Sequence, residues 1–276
     1  MNIREIAHLN PNYCEICREE RNYAAILFAA LCVPGNAERF LTHCGFEGKQ
    51  GAEFGIYFEY AYLRDLWNKI TDDAVRKEII RRNLPIRGID ELLKQPTIEI
   101  NRKFGVGGAV SEDFVQYPGR WAIVNYNQHF PGNDDFLKVC RFKWSFNIKP
   151  DLVIHLEKNR AICIEAKYES GEGSYPASEK EKSIFTKRGI PFVRQMELQK
   201  YMMEELLGVK TDFMFLVSKK ETSKTHKVVT WAEAFSCLDL KELPSFVSEM
   251  AKRISGLAWH GKSFHPIETE PRACDG

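Results

Sequence analysis

No stretch of this chain approaches the roughly 20 uninterrupted apolar residues that a membrane-spanning helix needs. The opening residues, Met1 to His8, also lack the apolar centre of a secretory signal, so a cytoplasmic protein with no membrane partner is expected. Charge of one sign is missing as well: 39 Lys and Arg stand against 38 Asp and Glu, for a net charge of +1. With a pI near 7.6 no global field drives binding to a polyanion, and any such contact must rest on local patches. There are eight cysteines, yet no framework-like spacing. Cys32, Cys163 and Cys237 lie in apolar surroundings, which suits reduced, buried thiols and argues against a secreted disulfide scaffold. Cys14-Glu-Ile-Cys17 is a C-x-x-C followed by Cys32 and His43-Cys44, the raw material of a zinc or iron–sulfur site. No second C-x-x-C accompanies it, and Cys32 sits inside an apolar helical run, which weighs against a metal here; a partner-binding protein organised by a cysteine-bound metal stays open as a rival class. No internal repeat is present.

What the chain does have is apolar content: 44% of 276 residues, enough for a sizeable core. The stretch from Asn147 to Lys167 organises the rest. Leu152 to Leu156 and Ala161 to Ile164 are short, rich in β-branched residues and separated by the polar Glu157-Lys-Asn-Arg160, which predicts a β-hairpin. In an antiparallel pair the start of one strand lies beside the end of the next. Asp151 and Glu165 therefore meet despite thirteen intervening residues. Side chains alternate along a strand, so Glu165 and Lys167 share a face that Ala166 does not. Two carboxylates this close repel unless a cation lies between them, and Mg²⁺, a hard ion with oxygen ligands, suits the pair. Lys167 adds a positive charge beside it. The bland alternative makes Asp151 a turn residue, with Glu165 and Lys167 a solvated pair at a strand end.

Pro150-Asp151 followed by Glu165-Ala166-Lys167 at the end of a hydrophobic strand resembles the signature of the PD-(D/E)XK nuclease superfamily. The resemblance implies a restriction-endonuclease-like α/β fold, a central mixed sheet flanked by helices, and Mg²⁺-assisted phosphodiester hydrolysis, with Mn²⁺ as a substitute metal. It implies Asp151 and Glu165 as metal ligands and Lys167 as the residue that stabilises charge or helps activate water. A third acid often comes from the first helix of such proteins. Glu20, on the apolar stripe of the helix predicted from Ile16 to Cys32, fits that place; Glu59, on the apolar side of a second predicted helix from Ala52 to Ile70, is the rival. A Gln on the helix after the Glu-x-Lys strand often orients the attacking water, and Gln195 fits by position. Tyr201 does not stand four residues after Gln195, so the Gln-x-x-x-Tyr arrangement of some exonuclease-like relatives is not reproduced.

Further along, Thr71-Asp-Asp opens a basic helix from Ala74 to Asn83 with Asp72 or Asp73 as its cap. Glycines and prolines punctuate the chain from Gln95 to Trp144, where Trp121 to Tyr126 and Phe142 to Phe146 read as strands. Arg102, Lys103, Arg120, Trp121 and Tyr126 mix charge with rings, either to stack unpaired bases or as core aromatics. Tyr168 to Arg188 reads as a mobile loop. Pro191 to Leu207 reads as a helix closed by Gly208. Asp212 to Val217 and Lys227 to Thr230 read as strands, Thr230 as the cap of another helix, and Pro244 to Ile254 as the last helix.

The expected organisation is a single domain: a helical part over 1–94, an insertion of strands and loops over about 95–136, a catalytic core over about 137–230 and C-terminal helices over 231–276. The expected function is a metal-dependent nuclease acting on DNA in preference to RNA, an endonuclease in bacterial defence, with a homodimer as an open assembly. The rival class is an inactive nucleic-acid-binding or protein-interaction module of the same fold.

Overall fold

Short apolar segments with strand-prone residues set the architecture in the computed structural model, which describes residues 20–46, 54–168, 171–219 and 226–256. Five of them, β1 (Gly55–Phe58), β2 (Leu152–Glu157), β3 (Arg160–Ala166), β4 (Lys210–Val217) and β5 (Lys227–Thr230), form one sheet in that order. β1 and β3 both run antiparallel to β2, whereas β4 and β5 are parallel, so the sheet is mixed. The fold is α/β.

The residues group into two compact units. The first, whose described residues are 20–46, 54–58, 151–168, 171, 212–219 and 226–256, holds all of the sheet but the first two residues of β4, and four helices: α1 (Glu20–Leu31), α2 (Asn36–His43), α3 (Trp231–Ser236) and α4 (Ser245–Gly256). Period-2 alternation sends Leu152, Ile154, Ile162, Ile164, Met214 and Leu216 into a core shared with the helices. Tyr23, Ala24, Leu27 and Leu31 of α1 recur at helical spacing and meet that face. Val153, Cys163 and Phe215 alternate to the other face and are equally buried. α3 opens with a capping box, the Thr230 hydroxyl accepting from the Glu233 amide and the Glu233 carboxylate accepting from the Thr230 amide. Asn36, fully buried, donates to the carbonyls of Ala30 and Asp239 and accepts from the Asp239 amide, tying α1 to the segment after α3. Among the described residues no single helix is long and apolar enough to cross a membrane.

The second unit, 59–150 and 172–211, is mostly helical. Its helix Asp73–Asn83 starts as expected, with Asp72 Oδ1 accepting from the Ala74 amide at 2.8 Å. The stretch 95–136 lies wholly within this unit.

Several expected elements differ, each for a local reason. Within the predicted helix from Ala52 to Ile70, the described residues from Phe54 on form strand β1, a turn at Glu59 with φ 49, and a helix only over Tyr62–Lys69. Gly55-Ile-Tyr-Phe58 is β-prone and finds the free edge of β2, which outweighs helical periodicity. Trp121 to Tyr126 is not a strand. The amides of Asn125 and Tyr126 both bond back to Ala122, making one helical turn, Ile123–Tyr126. Phe142 to Phe146 is the end of a helix, Asn133–Ser145, and adjacent Phe146. Phe136, Val139, Cys140 and Trp144 carry its 3.6 period, while a five-residue window shows only alternation. The expected loop from Tyr168 to Arg188 contains a helix, Glu179–Arg188, capped by Ser178 and ended by Gly189 at φ 65. The expected helix from Pro191 begins only at Gln195, because Val193 and Arg194 pair with Tyr175 and Ser174.

Trp121 and Tyr126 are 1% and 0% exposed, so neither ring can stack on a base; they are core aromatics. Trp121 instead lies flat on Phe104, ring centroids 3.8 Å apart.

Candidate active site

The register of the β2–β3 hairpin fixes the site. Leu152 pairs with Ile164, Val153 with Cys163 and Ile154 with Ile162, and continuing that register one step places Asp151 across from Glu165. Both residues lie in the first unit, at the end of the hairpin away from its turn. Asp151 Oδ2 accepts a hydrogen bond from the Ala166 amide at 2.8 Å, which ties the entry of β2 to the exit of β3.

Lys167 follows immediately. Its backbone is held on both sides: the amide donates to the Leu216 carbonyl at 2.7 Å, and the Lys167 carbonyl accepts from Trp231 Nε1 at 3.2 Å. The side chain turns back to Glu165, with Nζ 2.7 Å from Oε1, and both groups are buried. Glu20, at the first turn of α1, reaches the same place, its Oε1 accepting from the Tyr168 amide at 2.9 Å. Glu165 thus touches the ammonium directly, while Glu20 and Asp151 act on it through their charge.

The electrostatics follow from that imbalance. Burial first, then the charges of Glu165 and Glu20, push the Asp151 carboxyl up to about 7, against the pull of the Ala166 amide and Lys167. For Lys167 burial works against the charged form, yet the charge and hydrogen bond of Glu165, with Glu20 and Asp151 behind, outweigh it and raise the ammonium above its ordinary range. Cys163, one alternation back from Glu165, is pushed far up by burial and by Glu165 and Asp151, so it is an inert thiol.

Four of the predicted residues, Asp151, Glu165, Lys167 and Glu20, are therefore brought together. The other two belong to the second unit. Gln195 Oε1 accepts from the Gly173 amide at 3.3 Å, and its own amide donates to the Gly173 carbonyl. The Glu59 carboxylate is 3.7 Å from Lys149 Nζ. Cys14 and Cys17 lie outside the described residues. Sequence reasoning missed the clamps on the strand end, the Trp231 indole and the Ser218 hydroxyl, which donates to the Tyr168 carbonyl at 2.6 Å. Nothing local in the sequence marks them, since both contacts span 50 or more residues.

Among the described residues no group of three or more His, Cys, Asp or Glu side chains stands ready-made to hold a metal ion. Mg²⁺ does not need one, because it is commonly held by one or two carboxylates with water and substrate oxygens completing its shell. Asp151 and Glu165 meet that requirement, and a hard cation would favour the charged form of Asp151 against the burial and the Glu165 charge that raise its carboxyl. The donor set fits Mg²⁺ or Mn²⁺ and, being all oxygen, fits a thiophilic metal poorly. Comparison of the chain with protein-family models, characterised proteins and solved structures found no match.

Proposed function

We propose that this protein is a Mg²⁺-dependent nuclease that hydrolyses phosphodiester bonds in DNA, an endonuclease of the PD-(D/E)XK kind with a restriction-endonuclease-like core. The observation that carries the reading is the convergence of Asp151, Glu165 and Lys167 at one strand end, with the charged form of Asp151 disfavoured by burial and then by Glu165. A role in defence against foreign DNA rests on the sequence resemblance alone.

Asp151 and Glu165 would hold the metal. When bound, Mg²⁺ would supply Lewis-acid charge at the phosphoryl group. Lys167, already raised above its ordinary pKa, stays protonated at neutral pH and offers its ammonium to the negative charge that builds on a non-bridging phosphoryl oxygen. An ammonium has three N–H donors, so Lys167 can donate to substrate while keeping its bond to Glu165 Oε1. Glu20 anchors the strand end through the Tyr168 amide and adds negative potential that favours a cation. Gln195 would orient the attacking water, a role that rests on the sequence resemblance alone.

One observation favours a second reading. Lys167 already neutralises Glu165 directly, and an inactive DNA-binding module of the same fold would keep that pair as a structural element.

The test is incubation of wild type, Asp151→Ala and Lys167→Ala with closed circular and linear DNA, in Mg²⁺ or in chelator. Magnesium-dependent nicking of closed circles by wild type alone is expected. Equal cutting by all three proteins overturns the assignment, and DNA binding without cutting by any of them selects the inactive module.

A further inference from the structure

One peptide group in the first unit is gripped at both poles by side chains. The peptide joining Lys167 to Tyr168 presents its carbonyl to Trp231 Nε1 at 3.2 Å and its N–H to Glu20 Oε1 at 2.9 Å. In a planar trans peptide those two groups point in opposite directions, so α3 and α1 hold one plane from opposite sides. The preceding peptide, between Ala166 and Lys167, is fixed in turn by the bond from its N–H to the Leu216 carbonyl of β4. The two planes that flank a Cα define its φ and ψ, and with them the direction of its Cα–Cβ bond. Lys167 therefore leaves the strand end in a set direction.

The indole that completes this grip is itself anchored. Trp231 is the first residue of α3, directly after the Thr230 cap, and is 0% exposed. Its ring meets Tyr23 of α1 edge-on at 5.6 Å, and Tyr23 meets the Tyr168 ring at 5.3 Å. Packing alone does not require the hydrogen bond. Trp67 and Trp121 are also deeply buried, and their indole N–H groups have no acceptor among the described residues. Trp231 instead directs its one donor to the residue that carries the ammonium. A lysine bears its charge on a flexible four-carbon stem, so its aim depends on a fixed root as well as on its far-end partner.

We infer that Trp231 is a positioning residue for Lys167. With Glu20 at the other pole of the peptide, it sets the direction from which the ammonium reaches Glu165 Oε1 and, on the nuclease reading from which this inference starts, the phosphoryl oxygen. Trp231 acts only through the Lys167 carbonyl.

Trp231→Phe in the full chain keeps a ring and removes the N–H. Trp67→Phe, which removes a buried indole N–H that holds nothing, is the control. In nicking of closed circular DNA with Mg²⁺, kcat is expected to fall about tenfold in Trp231→Phe with KM within about twofold, because Lys167 acts on charge that builds only in the transition state. Carbon-13 relaxation of the Lys167 side-chain methylenes is expected to show an ordered stem in wild type and Trp67→Phe and a loosened one in Trp231→Phe. A residue that only holds the fold together lowers the melting temperature and moves neither reading. If Trp231→Phe does not fold, Glu20→Ala frees the opposite pole of the same peptide and is expected to loosen the Lys167 stem likewise. An unchanged stem in whichever variant folds, or an unchanged kcat in Trp231→Phe when wild type cuts, overturns the inference. Absence of cutting by wild type overturns the nuclease reading instead, and the relaxation measurement then decides the clamp alone.

Discussion

Lys167 Nζ lies 2.7 Å from Oε1 of Glu165, with side-chain exposures of 8% and 3%, two residues apart on one strand end and on one face of it. A pair this deeply withdrawn from water has lost most of its hydration, so neither charge tolerates the loss of the other. Its place beside Asp151 and Glu20 gives it a second property. Removing the lysine takes away a positive charge that acts on all three carboxylates, whereas removing the glutamate leaves the ammonium with two acidic neighbours.

That asymmetry predicts unequal costs. Lys167→Met is expected to destabilise the protein by about 3 kcal/mol or more at pH 8, the usual loss when one member of a buried pair is removed. Glu165→Gln is expected to cost less than that. Urea denaturation of both variants checks the order; a Glu165→Gln variant as unstable as Lys167→Met contradicts the description of the cluster.

The elevated Asp151 carboxyl makes stability depend on pH. A carboxyl whose pKa is about 7 when folded and 3.8 in an ordinary setting binds its proton more tightly in the native state. The unfolded state therefore holds fewer protons between those values, and stability falls as pH rises from about 4 to about 7. Asp151→Asn retains an oxygen for the Ala166 amide and removes the charge. It is expected to be more stable than wild type by on the order of 2 kcal/mol at pH 8 without metal, with the difference vanishing below about pH 4. Melting curves at pH 4, 6 and 8 measure this, and a gain that persists at pH 4 points to some other cause.

Much of this site was legible in the sequence because it is local. Two apolar runs around Glu157-Lys-Asn-Arg160 define the hairpin, and strand periodicity then places Asp151, Glu165 and Lys167 together with no tertiary information. Glu20 was legible through its position on the stripe of Tyr23, Ala24 and Leu27. What failed lay where short windows serve two periods: Gly55 to Phe58, Trp121 to Tyr126 and Phe142 to Phe146 all carry strand-prone residues, and only pairing partners or helical hydrogen bonds decide among them. The helix Glu179–Arg188 hid for a different reason. Only Phe185 of its ten residues is buried, so it shows no apolar stripe, and its signals were the Ser178 cap and Gly189. The Trp231 and Ser218 clamps are set by tertiary structure alone.

A divalent cation should stabilise the fold through the same carboxylates. If Mg²⁺ binds with a dissociation constant near 1 mM, about 10 mM contributes about 1.4 kcal/mol, which is about 3 °C in melting temperature for a chain of this size. The rise is expected at pH 8, to shrink at pH 5.5 where Asp151 is protonated, and to be absent in Glu165→Gln. Equal concentrations of NaCl control for screening. An identical rise in Glu165→Gln places the cation elsewhere.

Glu20 separates anchoring from charge. Its Oε1 accepts from the Tyr168 amide, and its charge raises Asp151. Glu20→Gln keeps an acceptor and loses the charge, while Glu20→Ala loses both. The two variants are expected to lower the Asp151 pKa alike, read by carboxyl-carbon NMR titration. They are expected to part in stability, where only Glu20→Ala leaves the amide without its side-chain acceptor, at about 1–2 kcal/mol. An Asp151 pKa that does not move in either variant removes Glu20 from the cluster. Equal stability of the two leaves it there as a charge and nothing more.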